Sequence, residues 1–175
     1  MPSDKKTARR NGLKARSRLS EAERHQKDER IRLRVIEKIA PYEVIGCYVS
    51  MKDEVSTIAI LEWCFLHGKT AAVPKVTGDS LVFHRIHGFD DLAPGTYGVL
   101  EPVKDDPVPV EDIEFMIVPL SAFDGYHNRT GYGKGYYDSV LKRCRHSVGL
   151  AYDVQKTDLI ITDPWDVRLD EIICE

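Results

Sequence analysis

No apolar run in this 175-residue sequence approaches the roughly 20 residues that a bilayer-spanning helix needs. The first ten residues, MPSDKKTARR, lack the apolar segment of a secretory signal. Only four cysteines are present, Cys47, Cys64, Cys144 and Cys174, and none forms a C-x-x-C pair. That argues against zinc spacings and against a disulfide framework. Free thiols in a reducing cytoplasm are the expectation. A basic excess is missing as well: the net charge is −3, which speaks against wholesale nucleic-acid binding. There is no internal repeat and no low-complexity stretch.

What is present fits one globular domain spanning residues 1–175. The apolar fraction of 42% is near the globular norm, so a core can form. Charge is uneven. Residues 1–34 hold twelve Lys/Arg against five Asp/Glu, and the remainder is acidic. A basic arm therefore precedes an acidic body. It reads either as a solvated helix face or as a source of phosphate contacts.

Short apolar runs alternate with helical patterns. Residues 5–18 are helix-compatible. Ser20 and Glu23 form a capping box ahead of a helix to Ile39, with Ile31, Val35 and Ile39 on one stripe. EVIGCYV (43–49) is a buried strand. Residues 56–68 form a helix with Ser56 as N-cap and Gly68 past its end. Strands follow at 70–74, 81–86, 114–119, 147–152 and 171–174. A helix spans 136–144, and 88–112 is an irregular connection rich in proline and glycine. This alternation predicts an α/β fold, a three-layer α/β/α sandwich with a mostly parallel central sheet. Ligands in such folds collect beyond the carboxyl ends of the strands.

The sequence GYGKGYYD (131–138) lies there, in a long loop before a helix. Gly131, Gly133 and Gly135 let backbone N–H groups turn toward an anion. Lys134 supplies a mobile cation and Arg129 a planar fork suited to phosphate. Asp138 is placed to hold a magnesium ion that bridges phosphates. The spacing is neither Walker A, because Gly135 follows Lys134, nor the Rossmann fingerprint, because the frame from Gly131 ends on Tyr136. The residues read as a nucleotide phosphate site of another kind, or as a glycine-rich structural turn.

The full stretch FDGYHNRTGYGKGYYDSVLKRC (123–144) resembles the signature of the 5-formyltetrahydrofolate cyclo-ligase family. KKTARR, SMKDEVST (50–57), AVPKV (72–76), GVLEP (98–102), Gln155 and DPWDVRLDEII resemble further family segments, in order along nearly the whole chain. The resemblance implies an enzyme that uses ATP and Mg2+ to convert 5-formyltetrahydrofolate to 5,10-methenyltetrahydrofolate, as a cytoplasmic monomer with no nucleic-acid or membrane partner. By that resemblance Lys6, Arg10, Arg129, Gly131, Tyr132, Gly133, Lys134, Gly135 and Tyr136 would hold the nucleotide. Lys134, Arg129 and Tyr137 would be catalytic. Met51, Glu54, Ser56, Tyr136 and Tyr137 would border the folate, and Asp138 with Asp166 would hold magnesium. Three positions depart from the family pattern: His127 replaces a glycine, Thr130 a leucine, and Ser56 an acidic or amide residue. His127 would be strained if its φ were positive.

Overall fold

A computed structural model describes all of residues 1–175. Six strands make the central sheet: β1 (Val44–Cys47), β2 (Thr70–Thr77), β3 (Ser80–Ile86), β4 (Phe115–Val118), β5 (Ser147–Ala151) and β6 (Glu171–Cys174). Their order is β6-β5-β4-β1-β2-β3. Every neighbouring pair is parallel except the β2–β3 hairpin. No helix is long and apolar enough to cross a membrane.

The four α-helices are α1 (Lys5–Ser17), α2 (Glu21–Ile39), α3 (Ile58–Leu66) and α4 (Tyr136–Leu141). Strand alternation sends Ile45, Cys47, Phe115 and Ile117 to one face of the sheet. There they pack with Ile31, Val35 and Ile39 of α2 and Ile60, Leu61 and Cys64 of α3. Met116 and Val118 point the other way, to Val140 and Leu141 of α4 and to Leu120, Phe123 and Leu169. The expected three layers are therefore present.

Local chemistry sets the helix ends. In α2 the capping box forms as expected, with Ser20 and Glu23 exchanging two 3.1 Å hydrogen bonds. In α3 it is Thr57, not Ser56, that takes the cap position, and it makes no side-chain cap bond. Its hydroxyl donates instead to Tyr48 O at 2.7 Å and accepts from Ser50 N at 3.0 Å. The hydroxyl thus closes the loop after β1 rather than capping the helix. Helix α4 ends at Leu141, short of residue 144, because Arg143 N and Cys144 N turn back to Val140 O and Leu141 O. With only six residues, it contributes little aligned dipole.

Helix α1 docks by backbone proximity. Its buried residues are Ala8, Gly12 and Arg16, and a Cβ on Gly12 would lie 2.0 Å from Ser121 O. Three short strand pairs were not expected: Pro2–Ser3 with Leu159–Ile160, Leu92–Pro94 with Leu100–Pro102, and Ala122–Phe123 with Arg129–Thr130. The second lies inside the stretch read as irregular and places its prolines at strand ends, where a missing N–H is tolerated.

His127 does adopt positive φ, at 67°. The left-handed conformation costs an L-residue about 1–2 kcal/mol. Its ring Nδ1 pairs with Leu169 O at 3.1 Å, which offsets about 1 kcal/mol. A glycine there would shed the strain, lose that bond and gain unfolded-state freedom. His127→Gly is therefore expected to change the unfolding free energy by less than about 1 kcal/mol in urea titration. A larger shift in either direction would contradict this balance.

Candidate active site

Strand β1 has β2 on one side and β4 on the other, so the chain order reverses between β1 and β4. Their carboxyl ends diverge there and leave a crevice. A cavity of about 570 Å³ occupies it. Tyr48, Val49, Met51 and Glu54 enter from the segment after β1, and Pro119 and residues 129–138 from the segment after β4. Pro74, Val76 and Leu81 of the β2–β3 hairpin give it an apolar wall. Six Lys/Arg side chains line it against four Asp/Glu, a local positive excess in a chain of net charge −3.

The glycine loop is built around arginines. Arg129 donates through Nε to Pro119 O at 3.2 Å, which leaves both terminal nitrogens for the cavity. A Cβ on Gly131 would sit 2.7 Å from Arg129 Nη2. Gly131 is glycine to make room for that fork, not for its φ. Gly133 and Gly135 have φ of 87° and 72°, so there the backbone requires glycine. Arg9 Nε donates to Gly131 O at 3.0 Å. Lys134 is exposed, with Nζ 5.4 Å from the centre of the Tyr97 ring. Burial lowers the Arg129 guanidinium below its ordinary value, opposed by Asp138 and the nearby tyrosines. It remains a cation throughout the working pH range.

Lys5 and Arg9 reach the cavity, whereas Lys6 and Arg10 are exposed and do not line it. KKTARR offers two lysine–arginine pairs of the same spacing. The burial of Ala8 and Gly12 rotates α1 so that the first pair faces inward. Lys5 Nζ lies 2.6 Å from Asp163 and 2.5 Å from Asp166. Burial would lower Lys5, but these carboxylates outweigh it and hold the ammonium above its ordinary value.

Arg16, which sequence reasoning missed, is 5% exposed. Its Nε and Nη2 hold Asp53 Oδ1 at 3.1 and 3.0 Å. Its Nη1 donates to the Tyr132 hydroxyl at 3.1 Å, and that hydroxyl donates to Glu54 Oε2 at 2.8 Å. Met51 N donates to the other oxygen of Glu54. Burial raises the Glu54 carboxyl, against the lowering effect of Met51 N, Tyr132 and Arg16. The spacing 5, 9, 12, 16 along α1 was the available signal, since these positions share one helix face.

Of the remaining sequence-predicted residues, Met51, Glu54, Gly131, Tyr132, Gly133, Lys134, Gly135, Tyr136, Tyr137, Asp138 and Asp166 share the cavity. Ser56 does not. It lines a smaller adjoining groove, and its N donates to Asp28 Oδ1 at 3.3 Å. A Cβ on Gly135 would lie 3.7 Å from Asp138 Oδ2, so that carboxylate leans over the glycine turn. Asp166 accepts from Asp163 N and pairs with Lys5. No cluster of three or more His, Cys, Asp or Glu side chains surrounds either. An all-protein metal cage is absent, but magnesium in phosphoryl sites takes one or two carboxylates and completes its shell with phosphate and water. Asp138 and Asp166 fit that requirement.

Comparison with known proteins gives the family of the chain. The model of the 5-formyltetrahydrofolate cyclo-ligase family matches residues 2–175. The 5-formyltetrahydrofolate cyclo-ligase of Mycoplasma pneumoniae is 32% identical over 177 residues, covering 97% of this chain and 98% of the relative. That of Haemophilus influenzae is 28% identical over 171 residues, covering 91% of each. Among solved structures, the 5,10-methenyltetrahydrofolate synthetase of Aquifex aeolicus is similar with a TM-score of 0.87. It is 32% identical and covers 97% of this chain and 89% of that one. With the match running from residue 2 to residue 175, this chain belongs to the 5-formyltetrahydrofolate cyclo-ligase family.

Proposed function

We propose that this chain converts 5-formyltetrahydrofolate to 5,10-methenyltetrahydrofolate with ATP and Mg2+, releasing ADP and phosphate. It would act as a monomeric single domain in the cytoplasm, on folate with or without a polyglutamate tail. The observation that carries this reading is a cavity with two unlike walls. Arg9, Arg129 and Lys134 gather around the glycine loop, and Pro74, Val76 and Leu81 of the hairpin give the same cavity an apolar wall.

The chemistry explains the two walls. A formyl oxygen on N5 is a poor leaving group. Transfer of the γ-phosphoryl group to that oxygen breaks the bond to ADP and creates a good one. The N10 lone pair then attacks the formyl carbon, the carbon–oxygen bond breaks, phosphate departs, and N10 loses its proton to solvent. Holding N10 beside the carbon makes ring closure intramolecular.

Arg129 and Lys134, with Arg9 behind the loop, would neutralise charge on the transferring group, which is the usual protein contribution to such a step. Backbone N–H groups of the loop would orient the phosphates. Tyr136 and Tyr137 would pack between the two ligands and exclude water. Lys5, fixed by Asp163 and Asp166, would keep Asp166 directed at the cavity. Asp138 and Asp166 would hold the magnesium ion, whose charge would offset that of the phosphates.

The test is absorbance at the methenyl-folate band with protein, 5-formyltetrahydrofolate, ATP and magnesium. An ATP-dependent rise is expected, with stoichiometric ADP. Correctly folded protein that gives no rise would overturn the assignment.

A further inference from the structure

In the segment 132–135 one side chain makes the hydrogen bonds to the rest of the protein, and Lys134 adds only its approach to the Tyr97 ring. Gly131 O is held by Ser121 Oγ at 2.7 Å and by Arg9. Beyond it, every side-chain hydrogen bond of the segment is made by the Tyr132 hydroxyl. The Tyr132 ring is 44% exposed, so core packing does not fix it. Glycines at 133 and 135 leave the backbone free to pivot.

The hydroxyl sits in a directional chain. Asp53 fixes two nitrogens of the Arg16 fork, the third donates to Tyr132, and Tyr132 spends its one proton on Glu54. Helix α1, the loop after β1 and the glycine loop therefore meet at one oxygen atom. We infer that the Tyr132 hydroxyl, held between Arg16 and Glu54, is a latch that fixes the glycine loop against the loop after β1 and positions the Glu54 carboxylate.

In the proposed reaction the two loops carry the phosphate side and the folate side, so the latch sets how the two ligands meet. That clause rests on the proposed function, whereas the latch itself does not. Tyr132 and Arg16 are positioning residues, because they act through Glu54 and through the loop. The charged and titratable groups facing Glu54 are Arg16 from α1, Asp53 beside it, Tyr48 at the end of β1, Tyr132, and Tyr137 of α4.

Tyr132→Phe removes the oxygen and keeps the ring, and Arg16→Lys keeps the charge without the fork. The first readout uses the free protein. The amides of Met51 and Glu54, which donate to Glu54 Oε1 and Met51 O, should exchange about tenfold faster in both variants, with the sheet unchanged. Unchanged exchange at these two amides would overturn the latch. The second readout uses the substrates. KM for 5-formyltetrahydrofolate should rise about tenfold in Tyr132→Phe, and the Kd of the free protein for MgATP should rise with it, because the released loop is the one that would orient the phosphates. Loss of the Tyr132 donor removes a contact that favours ionised Glu54, so the acid limb of kcat/KM should move to higher pH. An unmoved limb with unchanged KM would overturn the positioning of Glu54. If the wild-type protein proves inactive, the proposed function fails, and the exchange measurement still decides the latch.

Discussion

Arg129→Ala is expected to lower kcat by about 10³-fold or more while leaving the protein folded. The guanidinium is anchored by one nitrogen to Pro119 O and presents the other two beside Gly131. A fork in that position stabilises charge that grows on the transferring phosphoryl group, and its burial strengthens the effect because water competes less. Ground-state binding should suffer less than turnover, so KM for ATP changes little beside kcat. Arg129→Lys restores charge but not the planar pair of donors, and should recover only part of the loss. The measurement is initial rate at saturating substrates, with urea unfolding as the control for structure. An alanine variant within about tenfold of wild type would remove Arg129 from the chemistry.

Asp124→Ala is expected to cost about 4 kcal/mol of stability, an unusually large effect for a single side chain. Asp124 is 1% exposed. Its Oδ1 accepts from Tyr126 N and Asn128 N, and its Oδ2 from Asn128 Nδ2 and Ile160 N, all near 3.0 Å. Alanine would strand these donors, three of them in buried surroundings. The thermal midpoint should fall by about 10 °C for a domain of this size. Wild-type acid sensitivity follows from the same contacts. Burial raises the Asp124 carboxyl, but the four hydrogen bonds outweigh it and hold the group below its ordinary value of 3.8. Its stabilisation is therefore fully present above that value and is lost as pH falls through the lowered one. Asp124→Ala should flatten this acid limb of the stability curve. A variant with wild-type midpoint and acid limb would refute the account.

The three layers, the two apolar faces of the sheet and the position of the glycine loop were legible in the sequence. Each rests on a local pattern: the α2 stripe, strand runs bounded by turns, and glycine beside lysine. What could not be read depended on partners distant in the chain. Lys5 and Lys6 are equivalent until Gly12 meets Ser121 O and sets the rotation of α1. Arg16 resembles any solvated helix arginine until Asp53, Leu120 and Tyr132 surround it. Ser56 is a good N-cap by composition, yet Thr57 takes that place because its hydroxyl is drawn to Tyr48 O. The short pairs at residues 2–3 and 159–160 have no periodicity to detect, since two residues cannot show an alternation.

The docking of α1 has a consequence for how the protein comes into being. Lys5 and Arg9 find their partners 158 and 122 residues downstream. A chain leaving the ribosome therefore displays a basic segment long before anything exists for it to embrace. Closing so wide a loop costs entropy before it returns any contact. The helix can settle only after the glycine loop and the segment around Asp163 have been made. Half of the cavity's cations arrive with α1 and residue 5 to 16 of the chain, so the binding site is synthesised first in part and assembled last as a whole.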